Sequence, residues 1–176
     1  MICEASPQRK TGMIQEPAAE KAVQYGYRLL AIRQLSEKEF RTKLNGKGFG
    51  GSVVEAVAAR FRDLGYLDDA AFAKQRARSL AINRLWGNRR IEVTLRGKGL
   101  PRELIGEALT LAREEITERE AITQLLHNKG RGQGISPEDK REKRRLIQSL
   151  MGKGFPPGLI FEILSISGEE EVHDRE

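Results

Sequence analysis

The 176 residues hold one cysteine, Cys3, and two histidines, His127 and His173. A single thiol excludes a disulfide framework and fits a reducing compartment. Two histidines, both expected in loop or tail, leave no set of groups for a catalytic triad or a metal cluster. No apolar run approaches the roughly 18 residues of a membrane span, and the first 17 residues lack the continuous apolar core of a secretory signal. Aromatic residues make up 6% of the chain, with Trp86 the one tryptophan, whereas 32% of residues are charged. That balance favours an extended, much-exposed protein over one compact globule. These shortages together predict a cytoplasmic, non-enzymatic protein with no cofactor, no metal and no membrane contact.

What the sequence does hold is positive charge, unevenly placed. The net charge is +6, and residues 74–102 carry nine bases (Lys74, Arg76, Arg78, Arg84, Arg89, Arg90, Arg96, Lys98 and Arg102) against one acid, Glu92. A basic surface gains counterion-release entropy on meeting phosphates, so an anionic partner is expected for it. The alternative is a solvated helix face, and sequence alone leaves both open. A second basic cluster, KREKRR from Lys140 to Arg145, is offset by Glu138, Asp139 and Glu142 and ranks lower. The last eight residues, Glu169 to Glu176, reverse the sign with five acids and one arginine.

A hexapeptide organises the chain. Leu44–Phe49 reads LNGKGF, Leu95–Leu100 reads LRGKGL and Leu150–Phe155 reads LMGKGF, at spacings of 51 and 55 residues. Three copies at a period near 50 mark a repeat array. With Gly48 as the left-handed residue after a helix, Leu44 and Phe49 become the apolar pair of a Schellman cap, and Leu95/Leu100 and Leu150/Phe155 repeat the arrangement. Lys47, Lys98 and Lys153 then lie at the carbonyl end of each helix, where the macrodipole favours a cation. These Gly-Lys pairs are not a phosphate loop, because glycine follows each lysine where that motif needs Ser or Thr.

Each helix stop precedes a fresh apolar stretch at helical spacing: Val53, Val54, Val57 and Phe61; Leu104, Ile105, Ala108 and Leu109; Leu159, Ile160, Ile163 and Leu164. Ser52 with Glu55 and Ser36 with Glu39 have capping-box spacing, and Leu35 with Phe40 fits a hydrophobic staple. Pro101, Pro156 and Pro157 fall at helix starts, where a missing N–H costs little. A first helix carries Ala22, Tyr25, Leu29 and Ile32 on one stripe. In the second copy a first helix is expected from about Asp69 through Leu80 and a middle one from about Asn88 to Lys98. In the third, Ala121, Ile122, Leu125 and Leu126 lie on the first helix, and Ser136 with Pro137 starts the next. His127–Ser136, rich in glycine, reads as a loop.

The expected architecture is therefore all-α: three tandem three-helix, helix-turn-helix-like repeats in an elongated curved array. The boundaries run 1–17 (tail), 18–66, 67–115 and 116–166 (repeats) and 167–176 (acidic tail), and the array is expected to be complete as a monomer. Asp68 and Asp69 read as an N-cap rather than an acid pair, because one of them precedes the helix of Phe72. Tyr66 and Leu67 read as packing residues. Trp86 either fills a gap between repeats or stacks on a base.

One segment is more specific than the repeat. Gly65-Tyr66-Leu67-Asp68-Asp69, Phe72-Ala73, Arg84, Gly87, Arg90-Ile91, Leu95 and Lys98-Gly99 match the pattern G-Y-L-D-D-x-x-F-A followed by R-x-x-G-x-x-R-I-x-x-x-L-x-x-K-G. In this the chain resembles the RecX family over roughly residues 20–165. The resemblance implies a cytoplasmic modulator of recombination, DNA repair and the SOS response. It would bind the RecA recombinase filament on single-stranded DNA and inhibit its ATP hydrolysis and strand exchange. Arg76, Arg84, Arg89, Arg90, Arg96 and Lys98 are the candidate residues for contact with the filament or its DNA. Two other classes stay open on the residues: a stand-alone helix-turn-helix DNA binder without a recombinase partner, and a helical scaffold whose charge serves solubility.

Overall fold

The structure, a computed structural model, describes residues 16–130 and 140–173, with side chains over 17–128 and 140–165. Among the described residues there are nine helices and no strand: α1 (Glu16–Ile32), α2 (Glu37–Gly46), α3 (Gly51–Asp63), α4 (Asp69–Ile82), α5 (Asn88–Gly97), α6 (Arg102–Glu115), α7 (Glu118–Gly130), α8 (Lys140–Gly152) and α9 (Pro157–His173). Taken in threes they form the three expected repeats. Two compact units contain them, Met1–Leu67 and Asp68–Glu176, so the second and third repeats share a unit.

All three hexapeptides close their helices as expected. Gly48, Gly99 and Gly154 have φ of +92°, +86° and +91°. The amides of Phe49, Leu100 and Phe155 donate back to the carbonyls of Leu44, Leu95 and Leu150, at 3.3, 3.4 and 3.3 Å. Each glycine amide donates to the residue three back, which completes the Schellman pair. A fourth cap of this type ends α3: Gly65 has φ +76°, and Tyr66 N–H donates to Phe61 O at 2.9 Å. The Gly-Tyr of the family-like motif is thus a helix stop.

In the first unit, α1 and α2 both pack on α3. Ser36 is fully buried; its hydroxyl accepts from Glu39 N at 3.2 Å while the Glu39 carboxylate accepts from Ser36 N, the expected capping box. Ser52 and Glu55 do not form one. Gly50 is the N-cap of α3, Ser52 lies inside the helix, and Glu55 pairs with Arg41. The α1 stripe is also corrected. Ala22 and Leu29 are buried, Tyr25 is half-buried, and Ile32 is 81% exposed. The buried line runs through Gly26 instead, where an added Cβ would lie 2.9 Å from the rings of both Phe40 and Phe61. Glycine weakens a helix by up to about 1 kcal/mol, but here it lets two aromatic rings press against the α1 backbone.

In the second unit, α4 to α9 bury one common core, with Ile91, Leu95, Ile105, Ile122, Leu150 and Ile160 among its members. Asp68 caps α4, its carboxylate accepting from Ala70 N and Ala71 N at 2.9 Å each. Thr117 and Glu120 form a capping box that the sequence reading had overlooked: Thr117 N donates to Glu120 Oε2 at 2.7 Å and Glu120 N to Thr117 Oγ1 at 3.2 Å. Helix α7 continues through His127 to Gly130, so that part of the expected loop is helical; α9 likewise carries His173. The expected start at Ser136 and Pro137, and the N-terminal segment through Gln15, lie outside the described residues.

Ser36→Ala should cost about 1–2 kcal/mol, since it removes a capping hydroxyl and places a methyl against Glu39 N–H. Native-state hydrogen exchange should show faster exchange in α2 and α3, with α4–α9 unaffected.

Candidate nucleic-acid interface

The six candidate bases do not form one constellation. Arg76 lies on α4, exposed and without an ion-pair partner among the described residues. Arg84 precedes Trp86 in the α4–α5 connection; its side chain is exposed and its carbonyl accepts from Lys153 Nζ at 3.4 Å. Arg89 and Arg90 occupy the first turn of α5. Arg96 and Lys98 are at the other end of that helix, where Arg96 is paired with Glu92 one turn away and Lys98 is the C-cap. Elsewhere in the basic stretch, Arg78 is held by Glu115 on α6 at 2.6 Å. The hydrogen bond from Arg78 pulls the Glu115 carboxyl below its usual range, and Arg78 is raised in turn.

Arg90 has an internal task. Its guanidinium carbon lies 4.0 Å from the centre of the Trp86 ring, and Nη1 donates to Gly152 O at 2.9 Å. Trp86, half-buried against the core, is therefore a packing residue stacked on by a cation. The connection that presents it contains Leu85 at φ +49°, a left-handed non-glycine residue kept there by burial of its side chain. Next comes Gly87, whose amide donates to Lys153 O at 2.9 Å. A Cβ on Gly87 would sit 2.4 Å from Gly154 C and O, and a Cβ on Gly154 would sit 2.4 Å from Arg90 N. Two backbones meet with no room for a side chain between them. This contact joins the start of α5 to the helix-stop turn after α8, the hexapeptide of the third repeat.

Behind this contact lies a polar node that the sequence reading did not single out. Arg113, from α6, donates to Asn88 Oδ1 at 2.7 Å, Trp86 O at 2.7 Å and Ile116 O at 3.2 Å. Glu118, from α7, accepts from Asn88 N at 2.8 Å and so supplies the N-terminal cap that Gly87 has no side chain to give. Burial pushes the Arg113 guanidinium below its usual value, with Glu118 acting against that. Planar guanidinium geometry suits three acceptors in a small space. The available signal was register: Arg113 follows Asn88 by 25 residues, as Arg62 follows its own partner Glu37 in the first repeat.

The comparisons with known proteins agree with this architecture repeat by repeat. Models of the RecX first, second and third three-helix domains match residues 22–61, 68–109 and 117–164. The chain belongs to the RecX family. Among its relatives, the regulatory protein RecX of Mycolicibacterium smegmatis is 31% identical over 160 residues, spanning 89% of this chain and 83% of the relative. The regulatory protein RecX of Thermus thermophilus is 33% identical over 150 residues, 85% of this chain and 94% of the relative. The crystal structure of RecX from Lactobacillus salivarius shares the fold, with a TM-score of 0.72 at 20% identity over 85% of this chain and 96% of that one. A second RecX regulatory-protein crystal structure gives 0.71 at 24% identity over 92% and 78%. In this RecX chain, Gly87, Arg90 and Trp86 act first as the joint between repeats, and no described helix is long and apolar enough to cross a membrane.

Gly87→Ala should destabilise the second unit by about 3 kcal/mol, because overpacking here pits a methyl against backbone. Gly48→Ala, whose Cβ would meet open space, should cost the first unit only the left-handed penalty of about 1–2 kcal/mol. Denaturant unfolding of the two variants measures the difference. A second expectation concerns Glu115. A carboxylate with a depressed folded-state pKa stabilises above the unfolded value, and that contribution is lost as pH falls through the folded value. Arg78→Ala should raise the Glu115 titration midpoint in a side-chain NMR titration and weaken the dependence of stability on pH below the ordinary carboxylate range.

Proposed function

We propose that this RecX chain regulates a RecA recombinase, binding the RecA filament on single-stranded DNA and inhibiting its ATP hydrolysis and strand exchange. The observation that carries the reading is the match of all three three-helix domains to RecX models. In this reading the protein works in the cytoplasm as a binding module rather than a catalyst, and it needs no cofactor. Its repeats, 18–66, 67–115 and 116–166, act as a monomer in the filament groove, where they block duplex entry or lock subunits together.

The joint described above refines the candidate contacts. Arg90 and Arg96 are engaged within the chain, so Arg76, Arg84 and Arg89 are the members of the set best able to reach acidic filament surface or DNA. Lys98, at the end of α5, is a secondary contact. Arginine suits this role because its fork pairs with carboxylate and phosphate alike.

Titrating the protein into RecA hydrolysing ATP on single-stranded DNA should lower the rate at substoichiometric amounts. Arg76→Ala with Arg89→Ala should require about tenfold more protein for the same effect, since each lost charge contact removes part of a salt-dependent affinity. Unchanged hydrolysis, together with sequence-selective binding to duplex DNA, would transfer the protein to the stand-alone helix-turn-helix class.

A further inference from the structure

In the first two repeats the middle and last helices are clasped at one equivalent place. Glu37 at the start of α2 accepts from Arg62 near the end of α3 at 3.1 Å, and Asn88 at the start of α5 accepts from Arg113 near the end of α6 at 2.7 Å. Helices α8 and α9 pack together as α2 with α3 and α5 with α6 do. Aligned on the hexapeptides, the clasp positions of the third repeat are Lys143 and Gly168. The acceptor has become a cation and the arginine has become a residue without a side chain, so the sister hydrogen bond cannot form.

The charges have changed sides instead. Around Lys143 the start of α8 is an open groove of about 420 Å³ lined by Lys140, Arg141, Lys143, Arg144 and Ile147, with Glu142 outside the lining. All four cations are exposed, and Lys140, Lys143 and Arg144 have no ion pair or side-chain hydrogen bond among the described residues. On the other helix Gly168 is followed by Glu169, Glu170 and Glu171, and residues 169–176 hold five acids against one arginine. Helix α3 ends at Asp63 and α6 at Glu115, the counterparts of Glu169 and Glu170, whereas α9 continues to His173. Glu171 therefore keeps helical register where the sister repeats have Gly65 and Ile116, both past the ends of their helices. At about 100° per residue, Glu171 falls about 60° around α9 from the clasp position and Glu169 about 100° to its other side. The one acid earlier in α9, Glu162, is already paired with Arg119 of α7.

From this register and this complementarity we infer that the acidic segment beginning at Glu169 closes over the groove at the start of α8, where its carboxylates pair with Lys140, Lys143 and Arg144. The third repeat is thus clasped with reversed polarity. The clasp is also an internal competitor, because an anion from outside must displace it to reach these cations. Covalent attachment gives the acidic segment a high effective concentration without any further contact. The groove offers one aliphatic side chain and no aromatic ring, so it lacks the buried aromatic anchor of a protein–protein hot spot and suits a flexible run of carboxylates. Exposed charge pairs are screened by salt, so the clasp opens as ionic strength rises. The inference stands independently of the recombinase reading, since both halves of the clasp lie in this chain.

The test uses the full-length chain and a carbodiimide, which joins an amine to a carboxylate only where the two already touch. Peptide mapping of an equal mixture of isotope-labelled and unlabelled protein should find Lys140 or Lys143 joined to Glu169, Glu170 or Glu171 within single chains. The yield should fall at least about fivefold between about 50 mM and about 500 mM salt, as screening shortens the reach of the charges. Glu169→Gln, Glu170→Gln and Glu171→Gln together should tighten the binding of fluorescent polyglutamate at least about fivefold at the lower salt, a gain that screening removes at the higher one. Adding Lys143→Gln and Arg144→Gln should cancel that gain, and thermal unfolding checks that these isosteric changes leave the fold intact. Absence of the cross-link would overturn the proposal, as would equal polyglutamate affinity in the parent chain and the glutamine variant. Cross-links formed only between differently labelled chains would overturn it in favour of a groove filled by a second copy of this protein.

Discussion

The second unit depends on one close approach, that of the Gly87 backbone to the turn at Gly152–Phe155. A hydrogen bond from Gly87 N–H to Lys153 O sets the distance, and the absence of a Cβ at Gly87 and Gly154 permits it. Everything around the contact is arranged by it. Arg90 can reach Gly152 O and lie on Trp86 only because the two backbones touch, and Glu118 can cap α5 only because α7 starts beside that helix's first turn. The third repeat is thus fixed on the second through main chain, which resists substitution more strongly than a side-chain interface does, since no rotamer change can make room.

Glycine consequently has two distinct jobs in this family motif. At Gly48 and Gly65 an added Cβ would meet nothing, and there, as at Gly99, the residue is required by its positive φ, the geometry that ends a helix. At Gly87 the backbone is ordinary, with φ −74°, and the requirement is purely steric. Gly154 combines both. The helix-stop turn after α8 is therefore also the surface on which α5 is seated, so one hexapeptide copy both terminates a helix and joins two repeats.

Much of this was legible before any coordinates. The caps at Gly48, Gly99 and Gly154 follow from local backbone rules, and so do the boxes at Ser36 and the cap at Asp68, because every atom involved lies within six residues. The misreadings came from features that local rules do not contain. Ser52 and Glu55 have capping spacing, but Glu55 is drawn to Arg41 across the turn and the chain enters α3 two residues earlier. Ile32 has the right period for the α1 stripe, yet the stripe turns through Gly26, which no hydrophobicity pattern favours and which is chosen by the rings of Phe40 and Phe61. The node at Arg113 joins residues 25 to 30 positions apart. Only the comparison of repeats in register exposes it.

The same reasoning applies to charge. Nine bases against one acid between residues 74 and 102 suggested a cationic surface, but counting acids within a sequence window does not count the acids within reach. Glu115 neutralises Arg78 from 37 residues away, and backbone carbonyls with no formal charge hold Arg90 and Arg113. Between Lys140 and Arg145, helical geometry puts Lys140, Arg141, Lys143 and Arg144 on one face and Glu142 off it. In a protein built from repeats the informative quantity is the charge at equivalent positions. Glu37 and Asn88 each accept from an arginine 25 residues on, and a lysine at that position cannot. A cation placed where its sister repeats hold an acceptor cannot close the repeat by the same hydrogen bond.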